Sequence, residues 1–308
     1  MKKNPPIKET MQRKRTEILF LILLLLSFIG ANLINLSASA FPFVYSANTD
    51  EDYRLAKVYV MLAETYVSHG DYEKGKEFLL SAIKYDPGNK QAHTDLGLIY
   101  EALNEYDAAI AQYEEILKTD PEDRDINYFL GLLYDRVGYT DKAISFLEKA
   151  IRLMPYNAAV YYDIGVIYAR ENLYDKAILY NQKAVDLRSD FAEAFNNLCY
   201  AQANRGLYKE AFKNCEKSLE IDPESPPTLD SMGFVYYGMQ DYTKAIEYYK
   251  KAIDIDPDIS EIYFHLAQAY EKANDRENAV KYYKIYMEKE PEAPNIKEIK
   301  SILRKLKK

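Results

Sequence analysis

Residues 226–259 read PPTLDSMGFVYYGMQDYTKAIEYYKKAIDIDPDI, and the same 34-residue sentence returns when the sequence is slid by 34 in either direction. Its seventh position reads Leu62, Leu96, Leu130, Ile164, Leu198, Met232 and Leu266. Its eighth reads Ala63, Gly97, Gly131, Gly165, Cys199, Gly233 and Ala267. The eleventh is Tyr66, Tyr100, Tyr134, Tyr168, Gln202, Tyr236 and Tyr270. The twentieth is Gly75, then Ala109, Ala143, Ala177, Ala211, Ala245 and Ala279. Seven copies fill residues 56–293 without insertion or deletion (56–89, 90–123, 124–157, 158–191, 192–225, 226–259 and 260–293). A fixed period of this length is the mark of a stacked solenoid.

Each position has a physical task. Large apolar residues at positions four, seven and eleven fall on one helical stripe, and those at 24 and 28 make a stripe on a second helix. Small residues at eight and 20 let the two helices approach. Gly70, Gly138 and Gly206, or Asn104, Asn172 and Asn274, stand where a left-handed residue ends the first helix. Position 32, proline in all repeats but one (Ser189), closes the second helix. The pattern resembles the tetratricopeptide repeat family, with Tyr or Phe where the family usually has Trp at position four, and with His93, Asn127 and Leu229 departing further. The resemblance implies an all-α, right-handed superhelical solenoid of seven helix-turn-helix repeats. Residues 294–308, with Ile296, Ile299, Ile302, Leu303 and Leu306 on one stripe, are expected to form an amphipathic capping helix, since terminal repeats need a polar-backed cover.

Charge is unevenly spread. The net charge of −8 divides into +2 for residues 1–55, −15 for the repeats and +5 for residues 294–308. Repeat two is the extreme, with nine acids against Lys90 and Lys118. So acidic a body repels phosphate backbones, which argues against nucleic acid as a partner.

The N-terminal 40 residues set the expected compartment. A basic head (Lys2, Lys3, Lys8, Arg13, Lys14, Arg15) leads into the apolar run Ile18–Ala31, which weakens to Leu36 and is followed by Ala38-Ser39-Ala40. An uncleaved hydrophobic anchor helix over 18–36 is one reading, since these 19 residues just reach across a hydrocarbon core. A secretory signal cleaved after Ala40 is the other. Either reading places the repeats on the extracytoplasmic side, as a single-pass membrane protein or as a released one, with 41–55 as a tether.

Cys199 and Cys215 lie at positions eight and 24 of repeat five, facing inward on the two helices of one hairpin. They are either two buried free thiols or a disulfide. The three histidines, His69, His93 and His265, share no helical spacing with a second ligand, so no metal site is expected. No phosphate loop, serine elbow or catalytic constellation is present, so no enzymatic activity, cofactor or small-molecule substrate is expected.

What remains is a surface. In the family the first helices line a concave groove, and positions two, five, six, nine, twelve and thirteen face the partner. Carried onto this chain, repeat three offers Tyr128, Phe129 and Leu132, and repeat four Tyr162, Asp163, Val166 and Arg170. Repeat five offers Asn196, Asn197, Tyr200 and Asn204; repeat six Asp230, Phe234 and Tyr237; repeat seven Phe264, His265 and Gln268. Several of these aromatics could instead pack between repeats. Neither the family's carboxylate clamp nor its asparagine ladder carries over, because position five lacks the required lysine and only Asn197 holds asparagine at six. The expected function is a scaffold that binds a protein or peptide partner, apolar and basic in character given the acidic frame. The alternative is a recruiting subunit of an enzyme or of an envelope secretion machine whose chemistry lies on another chain.

Overall fold

The computed structural model describes residues 50–306, and every regular element among them is helical. Fourteen helices form seven hairpins. These are α1 (Asp50–Val67) with α2 (Tyr72–Tyr85), α3 (Lys90–Ala102) with α4 (Tyr106–Thr119), α5 (Arg124–Arg136) with α6 (Thr140–Leu153), and α7 (Ala158–Arg170) with α8 (Tyr174–Leu187). They continue as α9 (Ala192–Asn204) with α10 (Tyr208–Ile221), α11 (Pro226–Gly238) with α12 (Tyr242–Ile255), and α13 (Ser260–Lys272) with α14 (Arg276–Lys289). α15 (Ile296–Leu306) follows.

The turn inside each hairpin is one device used seven times. The residue at its corner has positive φ: Gly70, Asn104, Gly138, Asn172, Gly206, Gln240 and Asn274. The amide of the next residue reaches back to the carbonyl five positions earlier, as in Glu105 N to Tyr100 O (2.8 Å) and Leu173 N to Tyr168 O (2.8 Å). This is the bond that satisfies a helix's orphan carbonyls at a left-handed C-terminus. Gln240 fills the corner in hairpin six without the freedom of glycine or the short side chain of asparagine.

At four of the six joints between hairpins, the side chain at position four bonds to the proline carbonyl of the turn before it. His93 Nε2 contacts the Pro87 carbonyl (3.0 Å), Asn127 Nδ2 donates to that of Pro121 (3.2 Å), and Tyr263 Oη donates to that of Pro257 (3.0 Å). Hence His93 and Asn127 depart from an aromatic without loss: each is buried and bonds to the same backbone atom. His93 also meets Gln112 Oε1 at 2.9 Å, so it is a structural histidine.

The core is a ladder of contacts between positions eight and 24. A Cβ added to Gly97 would lie 2.4 Å from the Tyr113 ring, one added to Gly131 2.6 Å from Leu147, and one added to Gly233 2.5 Å from Tyr249. Large residues at 24 therefore cross the hairpin directly over small ones at eight. Tyr113 passes so far across that its hydroxyl donates to Glu101 on the other side (2.6 Å), and Tyr283 does the same to Glu271 (2.7 Å). In hairpin five the two positions are Cys199 and Cys215, fully buried and joined as a disulfide with Cα atoms 5.3 Å apart.

α15 buries Ile296 and Ile299 against Tyr263, Tyr283 and Tyr286, covering the end of hairpin seven. At the other end, helix α1 starts at Asp50, so residues 50–55 are helical and not tether. The acids that open it, Asp50, Glu51 and Asp52, suit a helix N-terminus, and Arg54 pairs with Asp50 one turn on.

The expected membrane placement is corrected. Among the described residues no helix is long and apolar enough to cross a membrane. α1, the longest, carries charged residues along its length, including Arg54, Lys57 and Glu64. The apolar run 18–36 and the Ala38-Ser39-Ala40 pattern lie outside the described residues. Among the described residues, the single-pass, extracytoplasmic localisation therefore rests on no element.

Candidate functional site: the face of the first helices

Successive first helices pack on one another from hairpin three onward, α5 with α7, α7 with α9, α9 with α11 and α11 with α13. Successive second helices make no comparable contact. The stack is thus tighter on the side of the first helices, and a stack tight on one side curves toward it. That side is the inner wall, and it carries the residues expected to face a partner.

The inner wall is tied together by polar bonds between neighbouring hairpins, with a constant offset of 35 residues. Tyr128 Oη donates to Asp163 Oδ2 (2.7 Å). Arg170 donates to both oxygens of Asp135, with Nη1 3.2 Å from Oδ2. His265 Nδ1 lies 2.8 Å from Asp230 Oδ1. Adjacent first helices are rotated so that position five meets position six of the next repeat, and twelve meets thirteen. The extra residue beyond 34 records that rotation.

These ties shift the groups that form them. Burial pushes the Asp163 carboxyl up to about 6; the bond from Tyr128 opposes this and nearby Asp135 adds to it. Burial works against a charged His265 ring, but the charge and hydrogen bond of Asp230 outweigh it and raise the imidazole above its ordinary value.

None of the expected groove residues is fully buried, yet they divide into two sets. Leu132, Arg170 and Tyr200 are exposed, Tyr200 to 40 %. Tyr128, Tyr162, Asp163, Val166, Asn196, Asn197, Asn204, Phe234, Tyr237, Phe264 and His265 are half-buried. Among the aromatics, the Tyr162 ring rests on Phe191 (4.8 Å between centroids), Tyr237 meets Tyr242 edge-on (5.6 Å) and Phe264 lies on Tyr286 (5.3 Å). Phe129 leans on Tyr113 (5.8 Å), and Tyr200 approaches Phe234 (6.3 Å) while keeping an open face. Asn204 Nδ2 is bound to its own helix at the Tyr200 carbonyl (2.9 Å). Much of the aromatic set thus rests one face on another ring, within its own repeat for Tyr162, Tyr237 and Phe264 and across repeats for Phe129 and Tyr200.

The inner wall of hairpins one and two went unread in the sequence. There α1 and α3 do not pack on one another as the first helices from α5 onward do, and a pocket of about 440 Å³ opens between them and the start of α2. Asp95 and Leu98 line it. They occupy positions six and nine, so the positional rule applied to repeats three to seven reaches them too.

Family models described as tetratricopeptide repeat match residues 60–124, 94–158, 130–190, 192–225 and 261–293, and one described as TPR repeat matches 233–274. No curated protein sequence matches the chain. Among solved structures, a tetratricopeptide repeat protein from Parabacteroides merdae ATCC 43184 superposes with a TM-score of 0.65 at 19% identity, covering 83% of this chain and 100% of that one. YrrB, described as a TPR protein with an unusual peptide-binding site, gives 0.52 at 26% identity over 60% of this chain and 95% of its own. PilW, described as a widely conserved type IV pilus biogenesis factor, gives 0.60 at 19% identity over 68% and 97%. The matched segments leave only residue 191 and residues 226–232 uncovered between 60 and 293, and the chain belongs to the tetratricopeptide repeat family.

Proposed function

We propose that the chain is a non-enzymatic interaction scaffold that holds an extended or helical segment of a protein partner along the face of its first helices. The observation that carries this reading is the open, partly apolar character of that face, where Leu132 and Tyr200 are exposed and Tyr162, Phe234 and Tyr237 each keep part of a ring toward solvent. A stack whose core is already filled has no structural need for them there. Tyrosine gives a large contact area for little lost rotamer entropy, which suits it to the centre of an interface. The polar ties Tyr128–Asp163, Asp135–Arg170 and Asp230–His265 hold the wall in shape before a partner arrives, lowering the ordering cost of binding. The acidic frame favours a partner that is apolar and basic. The likeness to YrrB, at 26% identity, supports a peptide as the bound element.

The test is selection of a random dodecapeptide library on the immobilised full chain, with Leu132→Ser/Tyr200→Ser as comparison. Both side chains are exposed, so the double variant keeps the wild-type melting curve. Peptides enriched by the wild type are expected to bind the variant at least tenfold more weakly. Equal binding to both, or no enrichment over an unrelated protein, refutes the reading.

A further inference from the structure

In the pocket between α1 and α3 one carboxylate oxygen is left without a partner. Asp95 Oδ1 accepts from Gln91 Nε2 at 2.8 Å, whereas Oδ2 is buried and has no hydrogen bond. Sequence explains the orphan. At the same position in later repeats Asp163 and His265 are met from 35 residues earlier by Tyr128 and Asp230. The residue 35 before Asp95 is Val60, which has nothing to donate. A buried acceptor left unsatisfied is costly, so a donor that reaches the carboxylate recovers much of that cost.

The walls state which donor fits. Val67, Leu98 and Ile99 give an apolar floor, and Leu98 is 48% exposed. Glu64 stands on the α1 side as a second acid, and no Lys, Arg or His lines the pocket. Repeat two around it is the most acidic of the seven. A metal ion is a poor occupant, since among the described residues no group of three or more His, Cys, Asp or Glu could hold one. Lysine and arginine match both halves of the site, because their aliphatic stems lie along apolar surface while the charged end reaches a carboxylate.

Building on the peptide-binding reading above, we propose that this pocket is a subsite for one cationic side chain of a bound peptide, its stem on Val67 and Leu98 and its charged end on Asp95 and Glu64. It sits on the first-helix face at the N-terminal end of the stack, so it fixes the register of a segment whose apolar residues run on toward Tyr200.

The dodecapeptide selection tests this with Asp95→Asn, which keeps the size of the side chain, and with Asp190→Asn, an exposed acid away from the pocket, as control. The wild type and Asp190→Asn are expected to enrich a Lys or Arg beside an aliphatic residue, and Asp95→Asn to lose that preference. One enriched peptide and its Lys→norleucine (or Arg→norleucine) counterpart are then titrated by fluorescence anisotropy. Asp95→Asn should weaken the parent peptide about tenfold and leave the norleucine form unchanged. Equal weakening of both peptides, or of neither, overturns the subsite. Enrichment that needs Leu132 and Tyr200 but shows no cationic preference overturns the subsite while leaving the groove reading intact; absence of any enrichment overturns both.

Discussion

Adding a single methyl group at Gly97 puts the packing rule of the hairpins to the test. Two effects of opposite sign meet there. Alanine is better than glycine in a helix interior by about 1 kcal/mol. Against this, the new Cβ would sit 2.4 Å from Cε1 and 2.7 Å from Cζ of Tyr113. That ring cannot step aside easily: it is fully buried, and its hydroxyl is fixed by Glu101 at 2.6 Å. The helices must therefore separate by several tenths of an ångström, and overpacking of this kind typically costs about 1–3 kcal/mol. The Ala267–Tyr283 pair in hairpin seven holds alanine and tyrosine at the same two positions, so the separation is attainable, which favours the lower half of that range. Gly97→Ala should thus destabilise the chain by about 0.5 kcal/mol net and by no more than about 1, read as a lower urea midpoint by circular dichroism. In a Tyr113→Leu background the pair becomes that of Ala63 and Leu79 in hairpin one, and the same Gly97→Ala change should then be neutral or stabilising. A stabilising Gly97→Ala in the wild-type background, or an equal effect in both backgrounds, would refute the reasoning.

The remaining predictions concern single devices. Asp163, at about 6 in the folded chain against an ordinary 3.8, holds its proton more tightly when folded, so its contribution to stability is complete below about pH 4 and is lost as pH rises through 6. Asp163→Asn should gain about 2 kcal/mol relative to wild type between pH 4 and pH 7 in urea titrations; parallel pH profiles would count against it. Reducing the Cys199–Cys215 bond, which closes a 16-residue separation, should lower stability by about 3 kcal/mol, seen as a shift of the urea midpoint with dithiothreitol. Deleting residues 296–308 uncovers Tyr283 and Tyr286 and removes the buried Ile296 and Ile299, for a loss of roughly 3 kcal/mol or more and a lower melting temperature. Gln240→Gly relieves the one corner that is neither glycine nor asparagine, and the midpoint should rise by about 1 kcal/mol.

The repeat let most of the architecture be read directly. Apolar stripes, left-handed corners and small residues at eight and 20 are all local or periodic, so they survive in one dimension. The inter-hairpin ties do not. Tyr128–Asp163 and Asp230–His265 depend on how far one hairpin is rotated against the next, and a 34-residue alignment places those partners in different columns. Ring contacts such as Tyr162 on Phe191 are equally invisible to position alone, which made the groove look more open than it is. Residues 50–55 were hidden for another reason: they precede the first copy of the repeat and have no column to be compared with. The orphan oxygen of Asp95 needed both pieces of information, the offset of 35 and the valine it points to.

A rod whose parts touch only their immediate neighbours unzips from its tips, one hairpin at a time. The covalent clasp in hairpin five stands in the path of that fraying, with four hairpins before it and two after. An opening front that enters from the C-terminal tip passes hairpins seven and six and halts there, since the two sulfurs hold α9 and α10 together after their packing is lost. The clasp thus shields hairpins one to four from an opening that begins at the C-terminal end.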